Sequence, residues 1–169
     1  VTGCALVNEP VAGFRIRSIK AAGGSRDASR PPRGPRRILI LSDRDGGEIR
    51  AIMDEDWCHA VRTAAAATVA MRVLARKDSS VMAMLGAGDT ARAAVPVIAK
   101  AFALKEIRVT SRTPASRESY AKEISKEYGL NVRAVESTEA ALDGVDLVVS
   151  ATTTSTPFVK DRWLAKGIT

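Results

Sequence analysis

Apolar positions along this 169-residue chain change their period twice. Arg37-Ile38-Leu39-Ile40-Leu41-Ser42 is a short apolar run, and Asp43-Arg44-Asp45-Gly46-Gly47 carries the turn chemistry that folds a second run, Glu48 to Met53, back upon it. This is a hairpin pattern. From Asp54 to Arg76 the pattern becomes helical: Asp54 or Asp56 can cap the start, and Ala64-Ala65-Ala66-Ala67 gives high intrinsic propensity and small side chains that let another backbone come close. Lys77-Asp78-Ser79-Ser80 breaks that pattern. Strict alternation of strand and helix begins at Val81, with strands expected at 81–85, 107–111, near Val132 and at 146–151. Helices are expected between them at 89–103, 115–128 and near Glu139-Ala140-Ala141-Leu142. Pro96 conflicts with its helix, because it removes one hydrogen bond and crowds the carbonyl of Arg92.

Parallel strands need crossovers of this length. The region is therefore expected to be a doubly wound, mostly parallel α/β sheet of the Rossmann type with helices on both faces, preceded by part of a smaller α+β domain. The expected division is 1–55 for that smaller part, 56–80 for a connecting helix, and 81–169 for the Rossmann domain.

Gly86-Ala87-Gly88-Asp89-Thr90-Ala91 joins the first of these strands to its helix. In a dinucleotide-binding turn the first glycine allows the tight reversal and the second lets backbone approach a pyrophosphate. A small third residue, here Ala91, permits close packing of helix on strand. The helix start then offers unpaired N–H groups and the positive end of a dipole. A lone GxGxxA also occurs in turns that bind nothing; the strands and helices beyond it, at the right spacing, distinguish this one.

The second strand ends in Ser111-Arg112-Thr113, where an NAD-binding unit commonly places an acid about 20 residues past the turn for the ribose hydroxyls. No acid is present. A guanidinium flanked by two hydroxyls suits a 2′-phosphate instead, so NADP is favoured over NAD. Thr152-Thr153-Thr154-Ser155 follows the strand 146–151, at the sheet end where open α/β folds place ligands, and its hydroxyls can line the nicotinamide ribose. A Ser/Thr turn ahead of Pro157 accounts for the same residues without a ligand.

The formal charge is +7, and the segment Arg15 to Arg37 carries eight basic residues against the single acid Asp27, so it accounts for the whole excess. Within it, Ala21 to Pro35 is rich in Gly, Ser, Arg and Pro, the composition of a loop. The arm lacks interleaved aromatics and any folded binding motif, so a nucleic-acid partner is not expected. Cys4 and Cys58 form no CxxC or Cys/His spacing, and His59 stands alone; neither a disulfide framework nor a metal site is expected. No charged leader precedes an apolar segment, and Arg62 and Arg72 interrupt the Ala-rich stretch. A soluble, cytoplasmic protein without a membrane partner is the expectation. The chain begins without Met and stops at Lys166-Gly167-Ile168-Thr169, which reads as a piece cut at both ends.

An Arg62-Thr63-Ala64-Ala65 helix runs on through Leu74-Ala75-Arg76-Lys77-Asp78-Ser79 into the Gly86 turn, with a hairpin ending in Met53-Asp54 before it. This ordered block resembles the ornithine cyclodeaminase/mu-crystallin family, and the resemblance runs from about Lys20 to Gly167. Shikimate dehydrogenase-like and glutamyl-tRNA reductase-like domains are similar from Gly86 to Pro157 but give no reason for the block upstream. The resemblance implies a homodimer of two-domain subunits that binds NAD or NADP and a small amino or imino acid. Three reactions fit it: deaminating ring closure, ketimine reduction, and amino acid oxidation. A non-enzymatic NADP-binding protein of the mu-crystallin kind and a shikimate dehydrogenase-like oxidoreductase are the alternatives.

Carried over by position, Lys20 and Arg62 would contact the substrate carboxylate, and Asp89 and Thr90 would face the pyrophosphate. Thr152, with Thr153 beside it, would lie at the ribose. Without the resemblance, Arg62 reads as an arginine on a helix surface. Thr90 replaces the family's common Gln, and the Arg/Pro/Gly run from Ala21 to Arg36 replaces an Asn- and Thr-containing stretch. The family's acidic catalytic group is expected outside these residues, so no catalytic residue is assigned.

Overall fold

The computed structural model describes residues 6–11, 14–21, 36–43 and 47–169, with side chains at 38–43 and 47–169. The expected loop at 21–35 and the reading of Cys4 lie outside the described residues, apart from Ala21 itself. The chain forms two compact units, 1–59 and 60–169.

The first unit is an antiparallel sheet in the order β1-β2-β3-β4, with β1 at Leu6–Val11, β2 at Phe14–Ala21, β3 at Arg36–Asp43 and β4 at Ile49–Asp54. The hairpin anticipated from the apolar runs is β3–β4, closed by Asp43 N–H to the Glu48 carbonyl at 2.8 Å. Arg50 Nε donates to Asp43 Oδ2 at 2.8 Å across it, and this bond holds the Asp43 carboxyl below the usual carboxylate range. Strand β1 had no sequence signal, since Pro10 and the polar pair Asn8-Glu9 break its alternation.

The second unit starts within helix α1 (Asp56–Leu74), whose first turn is tied by Asp54 Oδ1 accepting from Asp56 N–H at 2.9 Å. Ala60, Ala64, Thr68 and Met71 fall on one face at helical spacing and are buried. Strand and helix then alternate as β5 (Val81–Leu85), α2 (Asp89–Ala99), β6 (Glu106–Thr110), α3 (Pro114–Tyr128), β7 (Val132–Ala134), α4 (Thr138–Leu142) and β8 (Leu147–Ser150). These four strands are all parallel, in the order β7-β6-β5-β8. Counted along the chain this is 3-2-1-4, the order of a doubly wound nucleotide-binding half.

Period-two alternation along β5 divides the core. Met82 and Met84 pack with Ala64 and Met71 of α1, Val95 and Ile98 of α2, and Tyr120 and Ile124 of α3. Ala83 and Leu85 point into the opposite face with Ala141, Leu142 and the partly buried Phe158 and Trp163. A strand covered on both faces has no polar side to display, which is why 82–85 is apolar at every position. Helix α2 differs from expectation at its end. It passes Pro96 but stops at Ala99 rather than near 103, and Phe102 N–H closes the end on the Ile98 carbonyl at 2.9 Å. Ala101 N–H shares that carbonyl at 2.9 Å, an i to i−3 bond that tightens the last turn and ends the helix.

Arg76, in the segment after α1, ties three parts of this unit together. Its guanidinium pairs with Asp146 at the entrance to β8 and donates to the Gly167 carbonyl at 3.1 Å. The other oxygen of Asp146 accepts from Ser80 N–H at 2.8 Å and Val81 N–H at 3.0 Å, at the start of β5. Those two backbone bonds, with Arg76 beside them, hold the Asp146 carboxyl below its ordinary value. A depressed folded-state value adds stability that is present above the unfolded carboxylate pKa and is lost as pH falls through the folded one. Urea denaturation should show stability flat above about pH 5 and falling below about pH 4. Asp146→Asn should cost about 1–2 kcal/mol at neutral pH and flatten part of that acid limb. An unchanged limb in the variant would assign the acid sensitivity to other carboxylates.

Candidate functional site

The carboxyl ends of β5, β6 and β8 finish level, since Leu85 pairs in register with Thr110 on one side and Ser150 on the other. Gly86 N–H donates to the Thr110 carbonyl at 2.8 Å, and Ala151 N–H donates to the Leu85 carbonyl at 2.8 Å, so the connections leaving all three strands are pinned to one another. Gly86 has φ +115°, a region closed to side chains. A Cβ there would also lie 2.9 Å from the Ala151 carbonyl carbon and against its oxygen. The first glycine of the turn is therefore required twice, by its dihedral and by the backbone beside it.

Gly88 is constrained differently. Its φ is −88°, and a Cβ built on it meets nothing within 4 Å. The protein fold does not demand glycine here; the space over it opens into the cleft. Gly88, the N-cap of α2, has no side chain to accept from the first-turn amides, which leaves donors and the positive helix end for an anion. Ala91 is wholly buried under α3, where the Tyr120 hydroxyl donates to its carbonyl at 3.0 Å.

The cleft above these strand ends has a volume of about 780 Å³. Its floor is Leu85, Gly86, Ala87 and Gly88 from the turn, and Ala151 to Thr154 form the wall at β8 with Phe158. At the end of β6 it is lined by Thr110 to Thr113 and by Ser116 of α3. Glu136, Ser137 and Thr138 close it at the end of β7. A second hollow of about 440 Å³ continues past Thr152 and Thr154 toward Pro157 and Val159.

Of the residues singled out in the sequence, Gly86, Gly88, Ser111, Arg112, Thr113, Thr152 and Thr153 line this one cleft. Asp89 and Thr90 are exposed at the start of α2 and lie outside its lining. Arg62 is exposed on α1 and lines neither hollow. Lys20 sits on β2 in the first unit, opposite Arg37 in the register; its side chain is outside the description. Among the described residues no group of His, Cys, Asp and Glu could hold a metal ion, and no helix is long and apolar enough to cross a membrane.

Two features had no sequence signal. Glu136, Ser137 and Thr138 join the cleft only because β7 lies beside β6. Arg92, one residue past the GxGxxA turn, donates to the Ala87 carbonyl, pairs with Glu123 of α3 at 3.0 Å and stacks over the Tyr120 ring at 5.3 Å from its centroid. It braces the turn from behind. Its bond to Glu123, after that of Ser119, lowers the Glu123 carboxyl pKa, and burial pushes the Tyr120 hydroxyl upward, so the hydroxyl stays a donor.

Fold and cleft together define a Rossmann-type α/β unit with a nucleotide-sized groove at its topological switch point. The model of the ornithine cyclodeaminase/mu-crystallin family matches residues 18–169, and the chain belongs to that family. A Rhizobium meliloti protein with a provisional dehydrogenase name is 36% identical over 130 residues, covering 77% of this chain and 40% of that protein. The ketimine reductase mu-crystallin of Mus musculus is 30% identical over 129 residues, 76% of this chain and 40% of its own length. The chain thus spans about 40% of the length of these curated relatives. Among solved structures, the Thermococcus litoralis Delta(1)-pyrroline-2-carboxylate reductase in complex with NADH and L-proline superposes with TM-score 0.79 at 26% identity. The match covers 96% of this chain and 55% of that one.

The two glycines should separate in a stability measurement. Gly86→Ala is expected to cost about 2 kcal/mol or more, through the positive φ and the Ala151 carbonyl. Gly88→Val should stay within about 1 kcal/mol of the parent. Thermal or urea unfolding of both variants checks this, and equal losses would remove the distinction.

Proposed function

We propose that this chain carries the nicotinamide-dinucleotide site of an enzyme that interconverts amino and imino acids by hydride transfer. The observation that carries the reading is the cleft at the switch point, with a structurally dispensable glycine at its floor and hydroxyls at both strand ends. The mouse relative is named a ketimine reductase, and the Thermococcus relative was solved with NADH and L-proline; both names agree with this class of reaction.

The group fits the residues present. Gly88 leaves room for a pyrophosphate against backbone, and the uncapped start of α2 supplies amide donors to it. Thr152 and Thr153 offer hydroxyls on the β8 side for a ribose. Ser111, Arg112 and Thr113 lie at the other end of the floor; Ser111 Oγ donates to the Thr113 carbonyl at 3.1 Å, and the Arg112 guanidinium and Thr113 hydroxyl are donors suited to a 2′-phosphate, so NADP is preferred over NAD. When bound, the nicotinamide supplies or accepts the hydride at the carbon bearing the amino or imino nitrogen. By the family resemblance, Arg62 offers a substrate carboxylate a planar fork, and Lys20 is a candidate point charge for the same group. The assembly is a homodimer.

Titration with NADPH and NADH, followed by nicotinamide fluorescence, tests the cofactor assignment. Gly88→Val should abolish binding of both, and Arg112→Asp should weaken NADPH at least tenfold while improving NADH. Native preference for NADH by tenfold would overturn the 2′-phosphate reading; unaltered binding by Gly88→Val would overturn the site. For the substrate, Arg62→Lys should lower kcat/KM toward cyclic imino acids and α-amino acids at least tenfold with cofactor affinity unchanged. An unaffected rate would return Arg62 to a surface role.

A further inference from the structure

The cleft does not stop at the end of β6. It continues to the end of β7, where Glu136 lines it with Ser137 and Thr138. Ser137 is engaged elsewhere, its Oγ accepting from Ala140 N–H at 3.0 Å as the cap of α4. Glu136 is exposed, and among the described residues none offers its carboxylate a hydrogen bond or ion pair. An acceptor-only group at the far wall of a ligand-sized cleft selects a donor on the ligand.

The order of the strands says which donor. The sheet runs β5, β6, β7, with successive strands about 4.8 Å apart. Over β5 stands the glycine turn, suited to pyrophosphate, and over β6 the Ser111-Arg112-Thr113 group, suited to the ribose and its 2′ position. The next chemical group along a dinucleotide is the purine, and the next strand end is that of β7. Adenine carries its one strong donor on its edge, the exocyclic 6-amino group. We infer that Glu136 is a specificity-determining residue that reads the adenine base of the dinucleotide by accepting a hydrogen bond from its 6-amino group.

This rests on the dinucleotide reading above and deepens it. A carboxylate in this position favours adenine over a purine without the 6-amino group, which offers no donor there to replace the water the carboxylate gives up. Unsubstituted purine is that base, with hydrogen in place of the amine, so NADPH and reduced nicotinamide purine dinucleotide phosphate differ only at the edge in question.

The experiment is a binding titration of both dinucleotides on the whole chain, as native protein, Glu136→Ala and Glu136→Gln, with thermal unfolding as a control for folding. The native protein should bind NADPH about tenfold more tightly than the purine analogue. Glu136→Ala should erase that gap by weakening NADPH, and Glu136→Gln should narrow it, since its amide oxygen still accepts but without the charge. No gap in the native protein, or an undiminished gap in Glu136→Ala, overturns the inference and leaves the cofactor site standing. Failure of the native protein to bind either dinucleotide overturns the cofactor reading and this inference with it.

Discussion

The close approach of two backbones at Gly86 is the constraint on which the candidate site depends. The chain leaving β8 passes so near the turn leaving β5 that no side chain fits between them, and it is held there by Ala151 N–H on the Leu85 carbonyl. That contact brings Thr152 to Thr154 against the glycine turn and makes one groove of two strand ends. The strand order reverses between β5 and β8, so α2 departs to one face while α4 returns from the other. A crevice at such a point arises from the winding of the chain.

Behind the groove, stability is shared between apolar burial and a few charged ties. The two faces of β5 supply the burial, and Asp146 supplies the tie at the opposite, amino-terminal end of the sheet, where it accepts from backbone of β5 and from Arg76. Arg76 belongs to the block by which the sequence resembles the ornithine cyclodeaminase/mu-crystallin family, and its role in this structure is to hold strands together. Arg92 works similarly on the ligand side, with its guanidinium spent on the Ala87 carbonyl and Glu123. Arg112, by contrast, lines the cleft. Of three arginines near one sheet, two therefore brace the fold and one faces the cleft, and only their surroundings tell them apart.

Much of this was legible in the sequence. The alternation from Val81 onward, the hairpin before it and the Ala-rich helix between are written in local periodicity and turn chemistry, and those are local properties of the chain. The glycine turn and the Ser111-Arg112-Thr113 group were legible too, because backbone freedom and donor chemistry belong to residue types. Strand β1 was not, since a polar edge strand lacks alternation. The early end of α2 was not either, since a helix can pass a proline or stop after it according to the packing around its last turn.

Tertiary structure decided the rest. Gly86 and Gly88 are the same residue type two positions apart, yet only the course of the Ala151 backbone shows that the fold requires the first and spares the second. Glu136 is one acid among many in the sequence, and it reaches the cleft because β7 pairs with β6 across the whole length of α3. Sequence alone determined the elements and the chemistry each can offer, since both are set within a few residues. Which of those groups meet is fixed by hydrogen bonds and packing between segments distant along the chain, and no local pattern records them.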